Sequence, residues 1–196
     1  MIDLKLRVSD LIMHGKRTPM AIEKVTEFQT PIIIQRMRDE DVERVAELDK
    51  MCFPTPWTIS AYYTEVHNPS AYYIVAREDG LIVGFAGMWV IMDEAHITTL
   101  GVDPELRGRK IGERMLVHIL DEAIHRGARR ATLEVRRHNL AAQNMYNKYA
   151  FQVVAIRKGY YANDNEDAFV MWTNDMWDPA FLKLLRQHKE ALGDRE

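Results

Sequence analysis

A chain of 196 residues with 47% hydrophobic side chains is long enough for one domain with a full core, and too short to require two. Its 26 basic and 29 acidic residues leave a formal charge of −3, without the basic excess that a general nucleic-acid binder carries. The one cysteine, Cys52, excludes an internal disulfide framework, and its Phe53-Pro54 neighbours mark it as a packed residue rather than a nucleophile.

Residues 1–30 read as an N-terminal extension. Leu4, Leu6, Val8, Leu11 and Ile12 fit neither helical nor strand spacing, and Gly15, Pro19 and Pro31 interrupt the run. No basic segment leads into an apolar core there, so no export signal is expected and the cytoplasm is the expected location. Ile32, Ile33 and Ile34 then predict a strand. Asp39, followed by Val42, Val45, Ala46 and Leu48, predicts an N-cap and an amphipathic helix. Phe53-Pro54-Thr55-Pro56-Trp57 predicts a rigid loop, because each proline fixes its own backbone and restrains the residue before it. Thr58 is placed to cap a short helix through Val66.

Strand-like runs follow at residues 71–77, 81–91 and 95–102, with Asp79-Gly80 as the first turn. The stretch 80–92 is the most apolar in the chain. It is shorter than the ~20 residues that a membrane-spanning helix needs and predicts a strand buried on both faces. The period becomes helical at Ile111, Met115, Leu116, Ile119, Leu120 and Ala123, with Gly127 placed to end that helix. Residues 131–136 predict a strand, 140–149 a helix, 151–156 and 168–172 strands, and 181–191 a last helix. This order predicts an α/β fold, a mixed sheet with helices packed on it.

Residues 101–112 carry the strongest local chemistry. A strand end, a short turn and a helix start present free backbone N–H groups and the positive end of the helix dipole to an anion. Arg107, Arg109 and Lys110 add charge there, and Gly108 and Gly112 allow close approach to the backbone. No P-loop and no G-x-G-x-x-G pattern is present. Glu134 alternates with Leu133 and Val135, so it projects away from the core if those two face it. The residues alone leave it open between a base for an amine acceptor and a strand glutamate paired with an arginine. Tyr146 reads equally as a core aromatic, and Asn139 as the cap of the helix that starts at Leu140. The histidines, His96 and His138 included, show no metal-ligand spacing, so no metal is expected.

Arg107 to Gly112 resembles the acetyl-CoA signature [Q/R]-x-x-G-x-[G/A] of the GNAT superfamily, with Lys110 in place of its first glycine. Leu133-Glu134-Val135-Arg136, Asn139, Tyr146 and Phe151 are similar to the RimI-type ribosomal-protein alanine N-acetyltransferases of that superfamily. So are Phe53-Pro54 with Pro56-Trp57 upstream, and Gly159-Tyr160-Tyr161 with Glu166-Asp167-Ala168 downstream. The resemblance covers residues 31–174 as an acetyltransferase domain and leaves 175–196 as a C-terminal helical extension. It implies a twisted mixed sheet split near its centre, with helices on both faces and acetyl-CoA at the split. It implies that Leu100, Gly101 and Val102 meet the pantetheine arm along the strand edge. Arg107, Gly108, Arg109, Lys110, Ile111, Gly112 and Glu113 would hold the pyrophosphate, and Asn139 would touch the pantetheine. Glu134 would help deprotonate the amine and Tyr146 would protonate the departing thiolate. Phe53, Trp57, Tyr160 and Tyr161 would wall the acceptor groove. The implied acceptor is a protein N-terminus, with a small-subunit ribosomal protein as the candidate partner. A small amine, a lysine side chain, or a CoA-binding module without turnover are the alternatives.

Overall fold

The computed structural model describes residues 30–193; most of the N-terminal extension and residues 194–196 lie outside the described residues. The chain begins with strand β1 (Ile33–Arg36), a 3-10 turn (Asp39–Asp41), helices α1 (Val42–Cys52) and α2 (Ile59–His67), and the antiparallel strands β2 (Ala71–Glu78), β3 (Leu81–Ile91) and β4 (Glu94–Val102). A second 3-10 turn (Pro104–Leu106) leads to α3 (Ile111–His125), β5 (Arg130–Arg136), α4 (Leu140–Lys148), β6 (Gln152–Tyr161), β7 (Glu166–Trp172) and α5 (Pro179–Leu192). The seven strands form one sheet in the order β1-β2-β3-β4-β5-β7-β6. Every pair is antiparallel except β4 with β5, so the fold is the expected mixed α/β one.

Helices cover both faces because the central strands are apolar on both. Along β2, Tyr72, Ile74 and Ala76 bury themselves in the larger core with Met115, Leu116, Ile119 and Leu120 of α3. Tyr73 and Val75 alternate into a second core with Val45 and Leu48 of α1 and Tyr62 of α2. Each fully buried aliphatic side chain contributes about 1.5–3 kcal/mol of transfer free energy, so two such layers hold the central strands rigidly. β3 is buried along most of its length, as its glycine-containing apolar run predicts. α5 joins the larger core through Phe181, Leu185 and Leu192. Among the described residues no helix is long and apolar enough to cross a membrane.

Three local expectations are corrected. Asp39 opens a 3-10 turn and does not cap α1, which starts at Val42. The buried carboxylate at this corner is that of Asp41, which accepts the Arg38 N–H at 3.0 Å and pairs with the Arg77 guanidinium. Strand β1 lies at 33–36, slightly beyond the isoleucine run, because it is set by pairing Ile33 with Arg77 and Arg36 with Ile74. Strand β6 runs on to Tyr161, past the expected end at 156. It is an edge strand with most residues exposed, so burial imposes no clear alternation on its sequence.

Candidate active site

The sheet opens between β4 and β5. These parallel neighbours pair only at Glu94–Arg130, Ala95–Ala131 and His96–Thr132, and then diverge. Beyond that point β4 stays bonded to β3, with Leu100 opposite Ala86, Gly101 opposite Phe85 and Val102 opposite Gly84. The other edge of Leu100, Gly101 and Val102 therefore faces the opening without a strand partner. A bulge at Thr98 marks the place where β4 bends, and Tyr73 Oη lies 2.8 Å from Thr98 Oγ1 there.

At the far end of β4 the chain turns into α3. The first helical bond of the described backbone runs from Arg114 N to Lys110 O at 3.0 Å. Lys110, the N-cap, makes no side-chain cap, so the amides of Ile111, Gly112 and Glu113 are left to an outside acceptor. Gly108 (φ 82°) and Lys110 (φ 62°) both take left-handed backbone. Gly112 lets the helix lie close to β4, because an added Cβ would come within 3.3 Å of Leu100 Cδ2 and 3.4 Å of Val102 Cγ2. This uncapped, positively polarised terminus beside a free strand edge suits the pyrophosphate and pantetheine of a CoA thioester.

Lys110 holds the position where the signature has glycine, and the left-handed φ accounts for that preference. An L-side chain there costs about 1–2 kcal/mol. Lys110→Gly is therefore expected to raise the unfolding free energy by about 1 kcal/mol, read as a higher midpoint in urea titrations at unchanged slope. A lower midpoint would mean that the lysine side chain contributes more than its backbone costs.

The cations of the turn are not equivalent. Arg109 is gripped by Glu78 of β2, with Nη1 to Oε2 at 2.8 Å and Nη2 to Oε1, which holds the Glu78 carboxyl below the usual carboxylate range. Arg107 is exposed and reaches Val102 O through Nε at 3.4 Å, while Lys110 is exposed. The Glu113 side chain turns inward to Lys148 Nζ and Tyr149 Oη, each at 3.2 Å, so only its backbone amide faces the helix terminus. Cys52 Sγ lies 3.3 Å from Val102 O, and burial pushes its thiol up, which makes it a packing residue and a poor nucleophile.

Across the opening, Leu133 and Val135 point into the larger core and Glu134 points to the other face of the sheet. Its side chain is 8% exposed and both carboxylate oxygens are engaged. His96 Nε2 lies 2.8 Å from Oε2, and Arg157 Nη1 lies 3.0 Å from Oε1. The hydrogen bond with His96 is the main reason that Glu134 sits below the usual carboxylate range, against the opposing effect of burial. Sequence reasoning assigned no role to His96 in this arrangement and did not single out Arg157. No local signal marks either one, since the contacts join β4, β5 and β6 across long sequence separations.

Arg136 braces the same corner. Its guanidinium binds Asp164 Oδ2 at 2.7 Å, Glu166 Oε2 at 2.6 Å and Asn163 Oδ1 at 2.9 Å, and lies 4.0 Å from the centre of the Tyr161 ring. Tyr160 stands edge-on to Tyr161 at 5.1 Å, with Arg157 over its face. These two tyrosines and the Glu134 cluster therefore come together. Trp57 packs instead against Tyr62 and Tyr73 at 5.6 and 6.3 Å, and Phe53 against Phe85 at 6.4 Å. Both belong to the edge of the second core and keep part of their surface open.

Tyr146 lies on the opposite side of the sheet from Glu134, in the larger core, with its ring 5.6 Å from Phe151. Burial pushes its phenol well above the ordinary value, so it keeps its proton at neutral pH. Asn139 caps α4, its Oδ1 accepting the Ala142 N–H at 3.1 Å. Among the described residues no group of three or more His, Cys, Asp or Glu side chains is arranged to hold a metal ion.

The sequence profile of the acetyltransferase (GNAT) family matches residues 42–151, which carry the second core, the split and α3. A putative ribosomal protein bS18-alanine N-acetyltransferase of Bacillus subtilis is 39% identical over 146 residues, covering 74% of this chain and 97% of the relative. The N-alpha-acetyltransferase RimI of Mycobacterium tuberculosis is 37% identical over 156 residues, covering 76% and 96%. Among solved structures, the ribosomal-protein-S18-alanine N-acetyltransferase of Escherichia coli superimposes with a TM-score of 0.68 at 26% identity, over 73% of this chain and 93% of that one. With a split sheet, an uncapped helix terminus at one end and a matching profile over more than half its length, the chain belongs to the GNAT family of acetyl-CoA-dependent N-acetyltransferases.

Proposed function

We propose that this enzyme transfers acetyl from acetyl-CoA to the N-terminal α-amine of a protein, with an alanine-starting ribosomal protein as its acceptor. The observation that supports this is the opening between β4 and β5, with an uncapped helix terminus at one end and the Glu134 carboxylate beside His96 and Arg157 across it. Acetyl-CoA, when bound, supplies the thioester carbonyl and a sulfur leaving group. The edge of Leu100, Gly101 and Val102 aligns the pantetheine by backbone pairing. The amides of Ile111, Gly112 and Glu113, with Arg107 and Lys110, bind the pyrophosphate. The Glu134 corner accepts the ammonium and draws off its proton, and Tyr146 returns a proton to the sulfur. Tyr160 and Tyr161 wall the groove through which the acceptor's first residues enter. The names of the 39% and 37% identical relatives support a protein N-terminus as the acceptor.

Incubation with acetyl-CoA and peptides of varied first residue, read by fragment mass spectrometry, tests the acceptor. Acetyl is expected on the α-amine of alanine-starting peptides and not on N-terminally blocked ones. Acetylation confined to lysine side chains or to small polyamines would overturn the assignment. For the cofactor end, Arg107→Ala is expected to weaken acetyl-CoA binding by about 1–3 kcal/mol in calorimetry, since a charge-assisted contact is lost. Unchanged affinity would remove Arg107 from the site.

A further inference from the structure

We infer that His96 is the group that takes the proton from the acceptor amine, with Glu134 holding its imidazole in the one tautomer that leaves Nδ1 bare. The inference rests on the reading that the acceptor enters over the Glu134 corner, and deepens it. Four observations carry it. Glu134 is not open to an acceptor: its side chain is 8% exposed, and its two oxygens are taken by His96 at 2.8 Å and Arg157 at 3.0 Å. An ionised carboxylate only accepts hydrogen bonds, so the proton of this contact resides on His96 Nε2. The other ring nitrogen, Nδ1, bonds to no described residue, and the His96 side chain keeps 36% of its surface open. Finally, His96 forms the last paired position of β4 with β5, and so stands at the mouth of the split.

The neighbouring groups suit that role. From β5, Glu134 supplies the negative charge that stabilises an imidazolium. From β6, Arg157 keeps Glu134 ionised, and Tyr161 lies close enough to Glu134 to feel its charge. From β3, Trp89 stands edge-on to the imidazole at 6.1 Å, and α2 fixes that indole through Glu65 Oε2, 2.6 Å from Trp89 Nε1. A carboxylate held below its ordinary range is a weak base for an α-amine, whose proton affinity exceeds a carboxylate's by roughly 10³-fold or more; imidazoles as a class come within about 10²-fold. Proton transfer is efficient when that gap is small.

The step balances as follows in atoms and protons. Nδ1 of His96 takes one proton from the acceptor ammonium. The freed nitrogen bonds to the acetyl carbon as the carbon–sulfur bond breaks. Tyr146 gives its phenolic proton to the sulfur and recovers one from the acylated nitrogen, and His96 releases its proton to solvent.

His96→Gln tests the inference, because the glutamine amide can still donate to Glu134 and so preserves its position. It is expected to lower kcat by about 10²-fold at neutral pH, with acetyl-CoA affinity unchanged. Glu134→Gln is expected to slow turnover as well, because the imidazole loses the carboxylate that fixes its tautomer. A His96→Gln enzyme with wild-type kcat would overturn the inference while leaving the Glu134 reading intact. Wild-type rates in both variants would overturn the reading as well. A readout independent of turnover is 15N NMR of the wild-type protein near pH 8. The inference requires a protonated Nε2 and a bare Nδ1 at His96, and the opposite tautomer would sink it even if the variant failed to fold.

Discussion

Glu134→Gln is expected to lower kcat by about 10²–10⁴-fold near pH 7 while leaving acetyl-CoA affinity unchanged. The substitution keeps the shape of the side chain and removes its charge. It loses the negative partner of His96 and Arg157, whose contacts at 2.8 and 3.0 Å occupy both carboxylate oxygens. Arg157 is 54% exposed, so its charge remains solvated and the fold does not inherit an unpaired buried cation. The direction of the pKa shift sets the sign of the pH dependence. Glu134 is held below the ordinary carboxylate range, so it is already ionised throughout the neutral region and its own titration lies on the acid side. Its stabilising contribution is present above the unfolded carboxylate value of about 4.3 and is lost as pH falls through the lower folded value. The residual rate of the variant should climb with pH, because more acceptor arrives as the neutral amine. Stopped-flow turnover at saturating peptide, with calorimetry of acetyl-CoA, checks both halves. A near-normal rate near pH 7 would make Glu134 a structural strand residue.

Tyr146→Phe is the second large effect, with kcat expected to fall by about 10–10³-fold and the acid limb of the profile retained. The phenol is buried in the larger core and pushed above its ordinary value by desolvation, so it enters the reaction protonated, as a donor, at every physiological pH. Phenylalanine keeps the ring that packs at 5.6 Å from Phe151, which separates the chemistry from the packing. The hydroxyl makes no hydrogen bond to a described residue, so among the described residues its removal leaves no partner unsatisfied. Unfolding midpoints of the two proteins should therefore agree closely. Unchanged turnover with unchanged stability would mean that solvent protonates the departing sulfur.

Much of this protein was legible along the chain because the controlling forces act locally. The helical spacing from Ile111 to Ala123, the Thr58 cap of α2 and the Asp79-Gly80 turn reappear in the structure, since each depends on residues a few positions apart. The apolar run at 80–92 marks β3 because a strand covered on both faces has no polar side to show. The alternation around Glu134 placed it away from the core for the same local reason, and Asn139 caps the helix that follows it. What only the tertiary structure decided is where distant residues meet. The split depends on β4 and β5 pairing for three residues and then parting, which no periodicity encodes. Arg109 is drawn to Glu78 on β2 and away from the turn that its sequence neighbours define. The left-handed backbone at Lys110 explains the glycine of the signature, yet the lysine itself gives no hint of it. The corner formed by His96, Glu134 and Arg157 comes from three strands whose order in the sheet is set by burying both faces of the centre. Local patterns determine which segments are helix or strand, whereas the chemistry arises where packing brings separate strands to one edge.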